Sequence, residues 1–310
     1  MKKMYPQTAI FLIALMLLGN SITTAQNMDR YISLTIKKGA DIRLALSADA
    51  NGTPIKIVSG SNVFNVTVGT AWSTYRNFPS DASTMIIYGD LKSLGCAENQ
   101  SNLIGLDISK NTQLESLSCD QNQLTSLDVS KNIWLVGLVC AKNQLTGLDV
   151  SQNRRLELLN CSDNQLTNLD VSQNKRLELL HCTNNQLKTL DLSQNPYLEG
   201  LACDKNRLTS LNVSQNKELR WLYAYGNPFT TKAIDELFCS LPDKTDQAQA
   251  KICILNDSSD KNYKTVLAAN KQNAINKNWL VKYAENSKAN SNSKDIPNTT
   301  GTYECLKAAQ

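Results

Sequence analysis

The sequence predicts an α/β-type repeat solenoid. It is expected to be curved, with a parallel β-sheet on its concave face, a β-rich N-terminal cap and an α/β C-terminal cap. Three observations carry this reading. Cys119, Cys140, Cys161, Cys182 and Cys203 follow one another every 21 residues, and Cys96 stands 23 residues before Cys119. Around each cysteine the chain reads L-x-x-L-x-C-x-x-N-x-L-x-x-L-D-V-S-x-N-x-x. Seven units begin in register, at Leu91, Leu114, Leu135, Leu156, Leu177, Leu198 and Leu219. A fixed period of this length marks stacked supersecondary units.

Residues 1–25 read as a signal peptide and stand outside the fold. Lys2 and Lys3 form its basic end, and Ala9 to Leu18 form an apolar run of ten. Thr23, Thr24 and Ala25 supply small residues before Gln26. Ten apolar residues fall short of the ~20 a membrane-spanning helix needs. No second run of spanning length follows, so the mature chain is expected to have no membrane span. The expected destination is outside the cytoplasm: secreted, periplasmic or attached to the cell surface. Disulfides are permitted there.

Residues 26–90 read as a β-rich N-terminal cap. Short apolar or alternating runs at 31–36, 42–46, 55–58, 63–68 and 85–88 predict five strands. Asn51-Gly52 is a hairpin-turn signal between the second and third. The first solenoid coil exposes an apolar edge, so something must cover it.

Residues 91–229 are the solenoid. In each unit x-L-x-C-x alternates as a short strand does, with Leu and Cys inward and their neighbours on the concave surface. Parallel strands ~4.8 Å apart make seven of them a sheet roughly 29 Å wide. Asn99, Asn122, Asn143, Asn164, Asn185, Asn206 and Asn227 form one column. An inward amide there both donates and accepts, tying one coil to the next. Asp107, Asp128, Asp149, Asp170 and Asp191 are expected to accept from turn N–H groups on the return side.

The unit matches the leucine-rich repeat pattern with Cys in the third Leu position. It resembles the 21-residue, cysteine-containing repeats of the internalin family of secreted bacterial proteins. The resemblance implies a right-handed curved solenoid and a protein-binding role. It extends to the flanks, Ile86 to Asp90 leading in and Phe229 to Thr231 leading out. The chain shows no sorting motif at its C-terminus, unlike family members with a wall-anchoring tail.

Residues 230–310 form the C-terminal cap. Helices are expected at 231–241 and 263–275, strands at 251–255 and 279–283, and a flexible polar segment at 286–301.

Nine cysteines in an exported chain invite a disulfide framework. The repeat argues otherwise for Cys96, Cys119, Cys140, Cys161, Cys182 and Cys203. They occupy an inward column and stack with parallel Cβ vectors instead of facing each other. A ladder of reduced thiols is expected. Cys239, Cys253 and Cys305 remain; Cys239 and Cys305 are the possible disulfide, and Cys253 sits in an apolar strand.

Catalysis finds no support. The one histidine, His181, precedes Cys182, and adjacent strand residues face opposite sides, so the two make no dyad. No phosphate loop is present, no cofactor is implied, and no metal cluster is read. A formal charge of +4 does not suggest nucleic acid. The expected partner is a protein held on the concave face, with a glycan or an envelope scaffold as the alternative. Candidate contacts are Leu158 and Leu179, expected adjacent and exposed, then His181, Trp221, Tyr223 and Tyr225. The three aromatics are equally expected to pack under the C-terminal cap. Arg154, Arg155, Lys175 and Arg176 form a basic edge beside Glu157 and Glu178, read as solvated mixed charge.

Overall fold

The computed structural model describes residues 26–284 and 295–305. The proposed signal peptide lies outside the described residues. The N-terminal part supplies β1 (Tyr31–Ile36), β2 (Asp41–Ser47), β3 (Thr53–Ser59), β4 (Asn62–Val68), β5 (Arg76–Pro79) and β6 (Thr84–Tyr88). The first repeat adds β7 (Ser93–Gly95) and β8 (Leu103–Asp107).

Two sheets sort these strands. One has the order β4-β3-β6-β1-β8. The other begins with β5 and β2 and runs on, without interruption, into the solenoid through β2–β7 pairing. Asn51-Gly52 therefore makes a corner between sheets, not a hairpin. The strands it joins pair elsewhere, because the alternating leucines of β2 are needed under the first coil. The hairpin is β3–β4, turning at Gly60, whose φ of 60° suits glycine. Ile32, Leu34, Ile55, Ile57, Met85 and Ile87 fill the core beneath the smaller sheet.

The solenoid strands are β7, β9 (Ser116–Ser118), β10 (Gly137–Val139), β11 (Leu158–Asn160), β12 (Leu179–His181), β13 (Gly200–Ala202) and β14 (Trp221–Tyr223). Every neighbouring pair is parallel and in register, for example Leu159 opposite Leu180. The central leucines, Leu94 through Leu222, are fully buried. Each such side chain stabilises by ~1.5–3 kcal/mol.

Two asparagine ladders hold the coils together. In the first, Asn164 Nδ2 donates to Cys140 O and Cys161 O, both at 3.0 Å, and its Oδ1 accepts from Leu145 N at 3.0 Å. The pattern repeats through Asn122, Asn143, Asn185, Asn206 and Asn227. The residue before each ladder asparagine adopts a left-handed backbone: Gln121, Lys142, Asp163, Asn184, Lys205 and finally Gly226. That conformation is unfavourable for most residues other than glycine, asparagine and aspartate, and it turns the next side chain inward. The second ladder was not singled out from the sequence. Asn132, Asn153, Asn174, Asn195 and Asn216 are fully buried on the return side. Each donates back to the preceding coil, as Asn153 does to Asn132 O at 2.9 Å. The aspartates stand as expected, Asp149 Oδ1 accepting from Ser151 N at 2.9 Å.

Beyond β14 the same sheet continues with β15 (Ala250–Leu255) and β16 (Trp279–Tyr283), reaching eleven strands. Helix α1 (Thr231–Ser240) is capped by Thr230, whose hydroxyl accepts from Ala233 N, and buries Ile234, Leu237 and Phe238. The single helix expected over 263–275 is instead two, α2 (Tyr263–Leu267) and α3 (Gln272–Ile275). The returning chain causes the break. Thr300 N donates to Leu267 O, and Gly301 lies against the backbone of Ala269 so closely that a Cβ would come within 2.4 Å. The segment expected to be flexible is thus packed over 295–301, where Ile296 is buried. Residues 285–294 lie outside the described part. Cys239 and Cys305 are joined by a disulfide with Cα atoms 5.4 Å apart. Among the described residues no helix is long and apolar enough to cross a membrane.

Candidate functional site: the concave face

Alternation along each three-residue strand puts its first and third side chains on the concave surface. Leu158 pairs with Leu179, and Asn160 with His181. Both leucines are half-buried instead of exposed, because the coils curve over them and their neighbours crowd their flanks. They floor a shallow depression of about 410 Å³, shared with Ser116 and Gly137 and edged by Glu115, Glu157 and Glu178.

At the C-terminal end the aromatics stay on this face. Trp221, Tyr223 and Tyr225 are half-buried. The sheet continues beside them through β15, so the cap extends their surface without covering it. The Trp221 ring centre is 5.4 Å from that of His181 and 5.7 Å from that of Tyr223. Trp221 lies flat over Gly200, where a Cβ would meet the indole at 2.0 Å. Lys251 Nζ stands 5.5 Å above the Tyr223 ring. Burial lowers the His181 pKa, so the ring is neutral at neutral pH.

Asp204 lies beneath this cluster, 3% exposed, and accepts from Thr183 Oγ1 at 2.8 Å. Burial raises its pKa and also raises that of the adjoining Tyr225.

The opposite end holds aromatics that sequence reasoning missed. The loop between β4 and β5 lays Trp72 and Tyr75 over Gly95, where a Cβ would meet them at 2.9 Å and 2.8 Å. The Arg43 guanidinium stacks on the Tyr75 ring at 4.0 Å and pairs with Glu98. Gly95 and Gly200 thus do the same job at the two ends of one face: each leaves room for a ring from elsewhere. A glycine in the concave column was the available signal, but nothing in the sequence said which ring would come.

The cysteine column faces away from this surface. All six repeat cysteines are fully buried and free of disulfides. Burial pushes their thiols up, Cys161 to about 12, so none is a thiolate at neutral pH. Cys253 is also free and buried, at about 11. Register places it in the row of Tyr223, not in the ladder.

The repeat, the register and the buried Leu–Cys–Asn columns decide the architecture. The fold is a leucine-rich repeat solenoid with a cysteine column. Solved structures similar to this leucine-rich repeat chain include internalins, in keeping with the resemblance read from the repeat. The functional domain of internalin J from Listeria monocytogenes, described as including a cysteine ladder, is 26% identical. The match covers 62% of this chain and 49% of that one, with a TM-score of 0.43. An internalin, inlF, from the same organism is 18% identical over 62% and 60% of the two chains, at a TM-score of 0.47. The leucine-rich repeat protein LIC12759 from Leptospira interrogans is 24% identical over 42% of each, at 0.36. The chain spans about half the length of the solved structures it matches. No protein-family model and no curated protein sequence matches it.

Proposed function

We infer that this leucine-rich repeat protein is exported and holds a protein partner on its concave face, without catalysing a reaction. One observation carries the reading. Leu158, Leu179 and Trp221 share one row of the concave surface, with Tyr223 beside Trp221, all four half-buried and outside the core. Aromatic anchors flanked by smaller contacts are the usual composition of a binding hot spot. The basic amino end and apolar run of residues 1–25 support export.

The test is affinity capture from cell-surface and extracellular protein fractions, comparing the wild type with a Trp221→Ala plus Tyr223→Ala variant. Loss of the captured partner with an unchanged melting curve is the expected result. Equal capture by the two proteins would remove this face from consideration. A glycan ligand is the second reading, favoured by the tilted His181–Trp221–Tyr223 ring cluster. Selective binding to a glycan array, lost in the same variant, would replace the protein reading.

A further inference from the structure

A second surface lies on the edge where the chain enters each strand. Two residues per coil stand there, immediately before the first inward leucine. In four successive coils they are Ile133-Trp134, Arg154-Arg155, Lys175-Arg176 and Pro196-Tyr197. Trp134 and Tyr197 are 42% and 59% exposed. Read across the coils, the row is Trp134, Arg155, Arg176, Tyr197: two cations between two exposed rings, with Arg154 and Lys175 alongside.

The charges are not neutralised. Arg154, Lys175 and Arg176 make no hydrogen bond or ion pair among the described residues. Arg155 engages only the Trp134 ring, at 4.7 Å. The neighbouring acids, Glu157 and Glu178, line the concave depression and form no ion pair. The cations and acids of this edge therefore stand beside one another without pairing. Like charges on adjacent coils, ~4.8 Å apart, cost stability, and surfaces ordinarily intersperse the two signs. A row that keeps four unpaired cations together is built for something that supplies the missing charge.

We propose that this edge binds an acidic polysaccharide. Arg guanidinium groups match carboxylate or sulfate with paired N–H donors. The cations repeat at the coil spacing, which suits a linear polymer charged at regular intervals. Trp134 and Tyr197 offer flat apolar faces, at the two ends of the row, on which sugar rings stack. The site lies apart from the concave face and does not depend on the partner proposed there.

Fluorescence polarisation tests it with labelled heparin fragments, polygalacturonate, neutral dextran and a short DNA duplex against the full chain. Both acidic polysaccharides are expected to bind and dextran is not. Replacing Arg154, Arg155, Lys175 and Arg176 together by Gln should weaken binding at least about tenfold, as loss of several charge-assisted contacts does. Trp134→Ala plus Tyr197→Ala should weaken it severalfold. All six side chains are outside the core, so neither variant should melt below the wild type, and the Gln variant, relieved of like-charge repulsion, should melt at or above it. Leu158→Ala plus Leu179→Ala on the concave face should leave polysaccharide binding intact. The proposal is overturned by unchanged binding in the Gln variant, by insensitivity to the two rings, by equal binding of dextran, or by tighter binding of DNA than of either polysaccharide.

Discussion

Asn164→Ala measures what one rung of the first asparagine ladder contributes. In the wild type its Nδ2 reaches Cys140 O, Cys161 O and Ser162 O, and its Oδ1 accepts from Leu145 N. The loss is unequal among these groups. Cys140 O keeps Asn143 Nδ2, and Cys161 O keeps Asn185 Nδ2. The Leu145 amide keeps nothing, and Leu145 is fully buried. Orphaning one buried N–H costs about 1–3 kcal/mol; the Nδ2 group has two N–H to share among the three carbonyls, each of which keeps another partner, so the loss of those two donors adds about 1 kcal/mol apiece. The expected destabilisation is therefore about 3–5 kcal/mol, a large share of the roughly 5–15 kcal/mol typical of a folded protein. Equilibrium urea unfolding followed by circular dichroism gives the figure. Asn168→Ala, an exposed change on the same coil, is the control and should stay within about 0.5 kcal/mol. Hydrogen exchange supplies a local readout, with the Leu145 amide losing protection first. A cost below about 1 kcal/mol, or equal to the control, would refute the argument that the ladder amide is the sole partner of that buried N–H.

Two further outcomes are expected. Asp204 has a folded pKa raised by burial, so its contribution to stability is present below the unfolded carboxylate value near 4 and is lost as pH rises through the folded value. Asp204→Asn should abolish that part of the decline, seen as a flatter stability curve as pH rises above about 4; an unchanged curve would place the titration elsewhere. Alkylation of the native protein should label none of its buried thiols, whereas denaturation without reductant should expose seven, with Cys239 and Cys305 labelled only after reduction. Finding repeat cysteines already bridged would contradict the stacked column.

Much of the solenoid was legible because each coil solves the same packing problem and so repeats its answer. Leu117, Cys119 and Asn122 recur at fixed spacing; the inward direction of the first two follows from strand alternation, and that of Asn122 from the left-handed residue before it. The second ladder was written equally plainly, in Asn132 and its repeats. Its role was hidden because its partners are carbonyls of the preceding coil, which no local pattern names. Strand β5 escaped notice because Arg76–Pro79 offers only Phe78 as an apolar residue. Strand β8 has the same leucines as other return segments and became a strand because β1 happens to lie beside it. The break between α2 and α3 depends on a chain segment that returns some thirty residues later. On the concave face, positions followed from register, but half-burial and the contribution of Trp72 and Tyr75 depended on a loop outside the repeat.

The disulfide between Cys239 and Cys305 spans 66 positions and has a mechanical meaning. Tension applied beyond Cys305 passes across the bond into α1 and from there into the coils. The intervening chain, including β15 and β16, lies off the load path and bears no force while the bond is intact. An oxidised molecule under pull should therefore yield first in the coils or the N-terminal sheet. A reduced one should begin by peeling its last two strands away, so the redox state decides which end of the protein acts as the fuse.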